Sequence, residues 1–159
     1  MLTQARLKSV VHYDRDSCLF TWISPTSRRV RAGQNVSGTD GNGYAQIRID
    51  KRNYRLHRLA WLYVYGSLPS CQIDHINMIR SDNRISNLRL ASNGQNTNNR
   101  GVRSDSKSGL KGVSFVPTTG KWTARVRRQH LGTFETKEDA YRAYKERATI
   151  EFGEYVRLP

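Results

Sequence analysis

No run of the 159 residues is apolar for long enough to span a bilayer, and the N-terminus lacks the apolar core of a signal peptide. The expectation is therefore a cytoplasmic protein with no membrane partner. Cysteine is scarce. The two present, Cys18 and Cys71, lie too far apart for a C-x-x-C pair, which excludes a disulfide scaffold and a four-ligand structural zinc built on thiolates. Two buried, reduced thiols are expected instead. Acidic residues are scarce as well: 13 Asp and Glu stand against 27 Lys and Arg, and the first 100 residues hold no glutamate at all.

What is present is positive charge, a net +14. A charge of this size suits a polyanion, and without a membrane segment that polyanion is nucleic acid. The charge is spread over both halves: residues 1–100 carry 15 basic and 6 acidic groups, and residues 101–159 carry 12 and 7. Both halves are therefore expected to face the polyanion, unlike a neutral body with one basic tail.

The order of elements reads as α+β. Residues 4–11 suit a short helix, and Leu19 to Ile23 a strand. Ala45, Ile47 and Ile49 alternate with Gln46 and Arg48, then DKRN turns back into Tyr54 to Leu56, which predicts a hairpin with Gln46 and Arg48 on its wet face. Leu56, Leu59, Ala60 and Tyr63 have helical spacing, and Gly66 stands where a helix would end. CQIDHI and RISNLRLA read as two strands separated by the loop NMIRSDN. Ser92 and Gln95 form a capping box that opens a short helix carrying Asn96 and Asn99. Gly101 to Lys111 reads as a linker, and after it come strands GVSFV, WTARVRR and LGTF. Thr136 then caps a helix from about Lys137 to Glu151, buried through Ala140, Tyr144 and Ala148 and closed by Gly153.

Chemistry concentrates between Ile73 and Asn99. Asp74 is a hard anionic oxygen ligand suited to Mg²⁺ or Mn²⁺, and Asn96 offers a neutral amide oxygen 22 residues later. Two protein ligands leave room for phosphate and water. His75, neutral near its ordinary pKa of about 6.5, can take a proton from water. On a strand, adjacent Asp74 and His75 point to opposite faces, so a twist is needed before both serve one phosphate. Asparagine clusters also mark turns and caps, and His57 suits a hydrogen-bonded core histidine as well as a supporting residue.

The segment resembles the zinc-free branch of the HNH (His-Me finger) endonucleases, the branch of phage and intron homing enzymes. The matching residues are His57 to Ala60, Asp74–His75, Asn83–Arg84, Asn87–Leu88–Arg89 and Asn96, in family order over roughly residues 10–100. The resemblance implies a ββα-metal nuclease module with His75 as general base, Asp74 and Asn96 as ligands of one divalent metal, and no structural zinc. It also implies that Asn87 holds the His75 loop through bonds to backbone. Where the family usually has glycine this chain has Met78, so the loop must turn without it.

Gly109 to Arg147 resembles the ethylene-response-factor (Apetala-two type) DNA-binding domain, through Gly112–Val113, Trp122, Ala124, Leu131–Gly132, Phe134, Ala140, Ala143 and Tyr144. That resemblance implies a three-stranded antiparallel sheet backed by one helix. Alternation puts Val113, Phe115, Ala124 and Val126 on a core face, and Thr123, Arg125 and Arg127 opposite.

The expectation is thus a nuclease domain over residues 1–100, a linker over 101–111 and a DNA-binding domain over 112–159. Such a chain would cut one strand of double-stranded DNA per active site, as a monomer or a dimer. Arg48, Arg84, Arg89, Arg125, Arg127 and Arg128 are the candidate DNA contacts. A non-catalytic, sequence-specific DNA-binding protein on a degenerate nuclease fold is the alternative.

Overall fold

Thr3 starts the first helix. Its hydroxyl accepts from the Arg6 amide at 3.2 Å, and α1 (Gln4–Val10) buries Leu7 and Val10. In this computed structural model, which describes residues 2–98, 101–102 and 105–158, α1 runs directly into β1 (Val11–Tyr13). The chain divides into two units, Met1–Ser92 and Asn93–Pro159.

In the first unit β1 pairs antiparallel with β2 (Phe20–Trp22). A second sheet runs in the order β3 (Gly38–Thr39), β4 (Ala45–Ile49), β5 (Arg52–Arg55). Asp50 and Lys51 join β4 to β5 with φ of +48° and +67°, the two-residue turn whose twist suits a hairpin. Ile47 and Ile49 are buried and Arg48 exposed, as the alternation requires. α2 (Leu56–Tyr65) ends at Gly66, whose φ of +82° lets its amide reach the Leu62 carbonyl. Leu56, Leu59, Ala60 and Leu62 press into a core shared with Phe20, Ile49 and Ile73. Cys18 and Cys71 are reduced and half-buried rather than fully buried.

β6 (Gln72–His75) pairs antiparallel with β7 (Leu88–Ala91). The second expected strand, RISNLRLA, is strand only in its latter half. Ile85–Asn87 is a 3-10 turn, closed by the Asn87 amide on the Arg84 carbonyl at 2.9 Å. Beside it the Asp82 carboxylate pairs with Arg84, and the Asn87 carbonyl accepts from the Ile76 amide at 2.9 Å just past β6.

The second unit contains α3 (Asn93–Asn98), which begins one residue after Ser92; Asn99 lies outside the described residues. Its sheet has the order β10 (Gln129–Phe134), β9 (Lys121–Val126), β8 (Val113–Val116). Thr136 caps α4 (Lys137–Phe152) by accepting from the Asp139 amide at 3.1 Å. Ala140, Tyr144 and Ala148 pack on Val113, Ala124 and Val126. Gly112 has φ +70°, and a Cβ there would stand 2.2 Å from the Tyr144 ring.

Two expectations for this sheet are corrected. Phe115 is 47% exposed; it lies against the ring of its ladder partner Trp122, centroids 5.1 Å apart, and does not enter the core. Arg127 and Arg128 are not strand residues. They form the turn between Val126 and Gln129, and Arg127, at φ +51°, bends back to α4 to pair with Glu151 and lie over Phe152. No helix among the described residues is long and apolar enough to cross a membrane.

Candidate active site

β6 places Asp74 and His75 on opposite sides of the strand, yet both are buried. Asp74 faces its ladder partner, Arg89, whose Nε and guanidinium NH₂ both lie 3.1 Å from Oδ2. His75 closes the strand opposite Leu88 and turns into an aromatic pocket. Its ring stands edge-on to His57 at 5.2 Å between centroids and 6.1 Å from the ring of Tyr44.

The His75 Nε2 lies 3.2 Å from Oδ1 of Asn83. Asn83 is only 2% exposed and has little freedom. Its Nδ2 donates to the Ser81 carbonyl at 3.1 Å, and its own carbonyl accepts from the Tyr13 hydroxyl at 2.7 Å. Burial pushes that Tyr13 hydroxyl up to about 12. Burial lowers the pKa of His75 below the ordinary histidine value, against the opposing pull of Asn83, Asp74 and Asp82. His57 goes further, down to about 3, through burial first and then the neighbouring His75, Arg55 and Arg58. Its Nδ1 is buried with no hydrogen-bond partner. Near neutral pH both imidazoles are uncharged.

The loop after His75 is braced by Asn87. Its Oδ1 accepts from the Asn77 amide at 3.0 Å, and its Nδ2 donates to Asn77 Oδ1 at 2.9 Å and to the Asp82 carbonyl at 2.8 Å. Asp82 receives Asn77 Nδ2 at 2.7 Å and Arg84 Nε at 2.8 Å; the Arg84 contact above all holds its carboxyl far below the usual carboxylate range. Inside this loop Met78 adopts φ +64°, with its amide on the His75 carbonyl at 3.0 Å. A side chain thus occupies a left-handed position that glycine fills without strain.

Of the residues expected to carry function, His75, Asp74, Asn87, Arg84 and Arg89 gather on β6, β7 and the loop between them. Arg84 and Arg89 are engaged with Asp82 and Asp74. Arg48 lies on the exposed face of β4. Asn96 lies half-buried on α3, in the second unit. Arg125 and Arg128 are exposed there, and Arg127 is tied to Glu151. The sequence reading did not find Asn83 as the partner of His75, nor Tyr44 as a wall of the pocket. Asn83 was visible within an asparagine-rich motif, but a one-dimensional spacing carries no sign of which amide meets the imidazole.

The stretch holding α2, β6, β7 and α3 has known counterparts. Residues 54–98 match the HNH endonuclease family. The chain is also 30% identical, over 117 residues, to an uncharacterized HNH endonuclease of Acanthamoeba polyphaga mimivirus. That alignment covers 72% of this chain and 62% of the relative, so the chain spans about three-fifths of the relative's length. No solved structure matches. Both matches are to HNH endonucleases, a family that generally uses a divalent metal. The family match ends at residue 98 and does not reach the sheet and helix that resemble the ethylene-response-factor domain.

Proposed function

We propose that this chain is a metal-dependent endonuclease of the homing type, which hydrolyses one strand of double-stranded DNA per active site. His75 is the general base, Asn87 holds its loop, and Asp74 and Asn96 are ligands of one divalent metal, Mg²⁺ or Mn²⁺. The observation that carries the reading is the His75 pocket: a buried, uncharged imidazole inside the matched stretch, with its Nε2 on the Asn83 oxygen. Because the Asn83 amide nitrogen donates to Ser81, its oxygen faces the ring. Nε2 then bears the hydrogen and Nδ1 the lone pair. In the reaction, Nδ1 takes a proton from water as the water oxygen bonds to phosphorus and the bond from phosphorus to the 3′ oxygen breaks.

The donor chemistry fits a hard cation. Asp74 offers a buried carboxylate oriented by Arg89, and Asn96 an amide oxygen, both within the matched residues. Among the described residues no group of three or more His, Cys, Asp or Glu side chains could hold an ion by itself, so water and phosphate would complete its shell. When bound, the ion supplies charge stabilisation to the pentavalent phosphate and the leaving oxygen.

The second unit, in this reading, helps choose the place of cleavage. Arg125 is exposed on β9 between Ala124 and Val126, which are buried under α4, so its side chain stands on the face away from that helix.

Nicking of supercoiled plasmid tests the proposal. The wild type nicks only with Mg²⁺ or Mn²⁺ present, and His75→Ala stops nicking while leaving DNA binding intact. Continued nicking by His75→Ala, or a wild type inert across a broad panel of DNA sites, would remove the enzyme reading.

A further inference from the structure

Two arginines from distant parts of the first unit close on the ring of Tyr44. The Arg55 guanidinium lies 4.3 Å from the ring centroid and that of Arg80 lies 5.0 Å from it. Their electrostatic circumstances differ. Arg55 is matched by Asp40, with Nε 2.8 Å and a guanidinium NH₂ 2.7 Å from Oδ2. Arg80 has no carboxylate partner among the described residues; its one hydrogen bond runs from Nη1 to the Asn42 carbonyl.

The platform under Arg80 is firm. Asp40 Oδ1 accepts from the amides of Asn42 and Tyr44, both at 2.9 Å, and the Asp40 amide donates to the Tyr44 carbonyl at 2.8 Å. Tyr44 is therefore fixed by a tight turn, with its ring 5.3 Å from that of His57 and 6.1 Å from that of His75. Arg80 stands on the loop that turns through the strained Met78, two residues earlier. An exposed guanidinium, uncompensated and held by a ring and a carbonyl beside the candidate base, is arranged to receive an anion.

We infer that Arg80, backed by Tyr44 and Asn42, is a contact site for a DNA backbone phosphate next to the one that is cut. The inference rests on the reading of DNA as substrate. Arg80 neutralises that phosphate and sets the register of the strand against His75, whereas Arg55 serves as the internal support of Tyr44.

The test is binding of a duplex oligonucleotide in EDTA, which prevents metal-dependent cleavage, over a series of salt concentrations. Loss of one phosphate contact lowers the slope of log K against log salt by about 0.9. Arg80→Gln keeps a donor for the Asn42 carbonyl but not the charge, so a change due only to a loosened loop leaves the slope where it was. The expected result is a slope reduced by about one unit for Arg80→Gln, with the wild-type slope kept by Arg80→Lys. A wild-type slope and affinity in Arg80→Gln would overturn the site, as would an equal loss of slope in both variants. A thermal melt of each variant confirms that folded protein is compared. If the wild type nicks nothing yet Arg80→Gln loses slope, the phosphate site stands and the nuclease reading falls. If nicking is robust and the slope unchanged, the reverse holds.

Discussion

The imidazole of His75 is held by the side chain of Asn83, eight residues downstream, with Nε2 and Oδ1 3.2 Å apart. The amide is itself oriented by its nitrogen's bond to the Ser81 carbonyl, while Tyr13 holds the Asn83 backbone carbonyl, so the side chain presents its oxygen, an acceptor, to the ring. An acceptor at Nε2 selects one neutral tautomer and leaves the lone pair on Nδ1. Asn83→Leu keeps the volume and removes the acceptor. The expected outcome is a kcat lower by about tenfold to a hundredfold, by analogy with the loss on removing the partner that orients a metal-ligating imidazole. KM should change little, because Asn83 is buried away from bulk DNA contact. Steady-state nicking kinetics give both constants; a raised KM with unchanged kcat would assign Asn83 to binding.

The His75–Asn83 contact was not legible in the sequence, whereas several elements that carry the fold were, and the boundary between legible and hidden has physical causes. α2 was legible because Leu56, Leu59 and Ala60 repeat at helical spacing and Gly66 can take a positive φ. The β4–β5 hairpin was legible because Ile47 and Ile49 alternate with polar residues. The 3-10 turn at Ile85–Asn87 was hidden because it is held by local backbone bonds, the Asn87 amide on Arg84 and the Leu88 amide on Ile85, which apolar spacing does not register. The Asp74–His75 pair could be named from sequence, but burial of both, on opposite faces of one strand, required the elements that cover them. Arg127 was assigned to a sheet face because alternation was carried one residue past the end of β9.

Met78 offers a test of stored strain. A residue with a Cβ at φ +64° carries a cost of about 1–2 kcal/mol relative to one without. Met78→Ala and Met78→Gly remove the same side chain beyond Cβ and differ only in that atom. Glycine should therefore be the more stable of the two by about 1 kcal/mol, the difference being reduced by the greater entropy of glycine in the unfolded chain. Urea denaturation of the pair measures it. Equal midpoints would mean that the loop relaxes and stores nothing.

His57 fixes the sign of one pH effect. Its pKa is about 6.5 unfolded and about 3 folded, so between these values the unfolded chain binds the extra proton. Stability contributed by the neutral, buried ring is fully present above pH 6.5 and is lost as pH falls towards 3, at up to about 1.4 kcal/mol per unit. Asp82 and Asp40, whose pKa values are also depressed, lose their contribution in the same direction at lower pH. The comparison with His57→Gln isolates the histidine. The variant should show a shallower decline of unfolding free energy between pH 6.5 and 4, and parallel curves would count against a buried neutral His57.

Two neighbouring arginines in the second unit should behave differently. Arg125 is exposed on the face of β9 away from α4, and no carboxylate partner is seen for it among the described residues. Arg127 lies 3.3 Å from Glu151 and over the Phe152 ring, so its charge is directed at the helix. If the sheet meets DNA, Arg125→Ala removes a phosphate or base contact, and the salt dependence of binding falls by about 0.9 of a unit in the logarithmic slope when a phosphate is lost. Arg127→Ala loses an ion pair and a ring contact, each worth under about 1 kcal/mol at an exposed site, and should lower the melting temperature slightly with the slope unchanged. Titration of duplex DNA at several salt concentrations, beside thermal melts of the same two variants, separates the effects. Should Arg127→Ala lose the slope while Arg125→Ala keeps it, the face of the sheet that meets DNA would be the one beside α4.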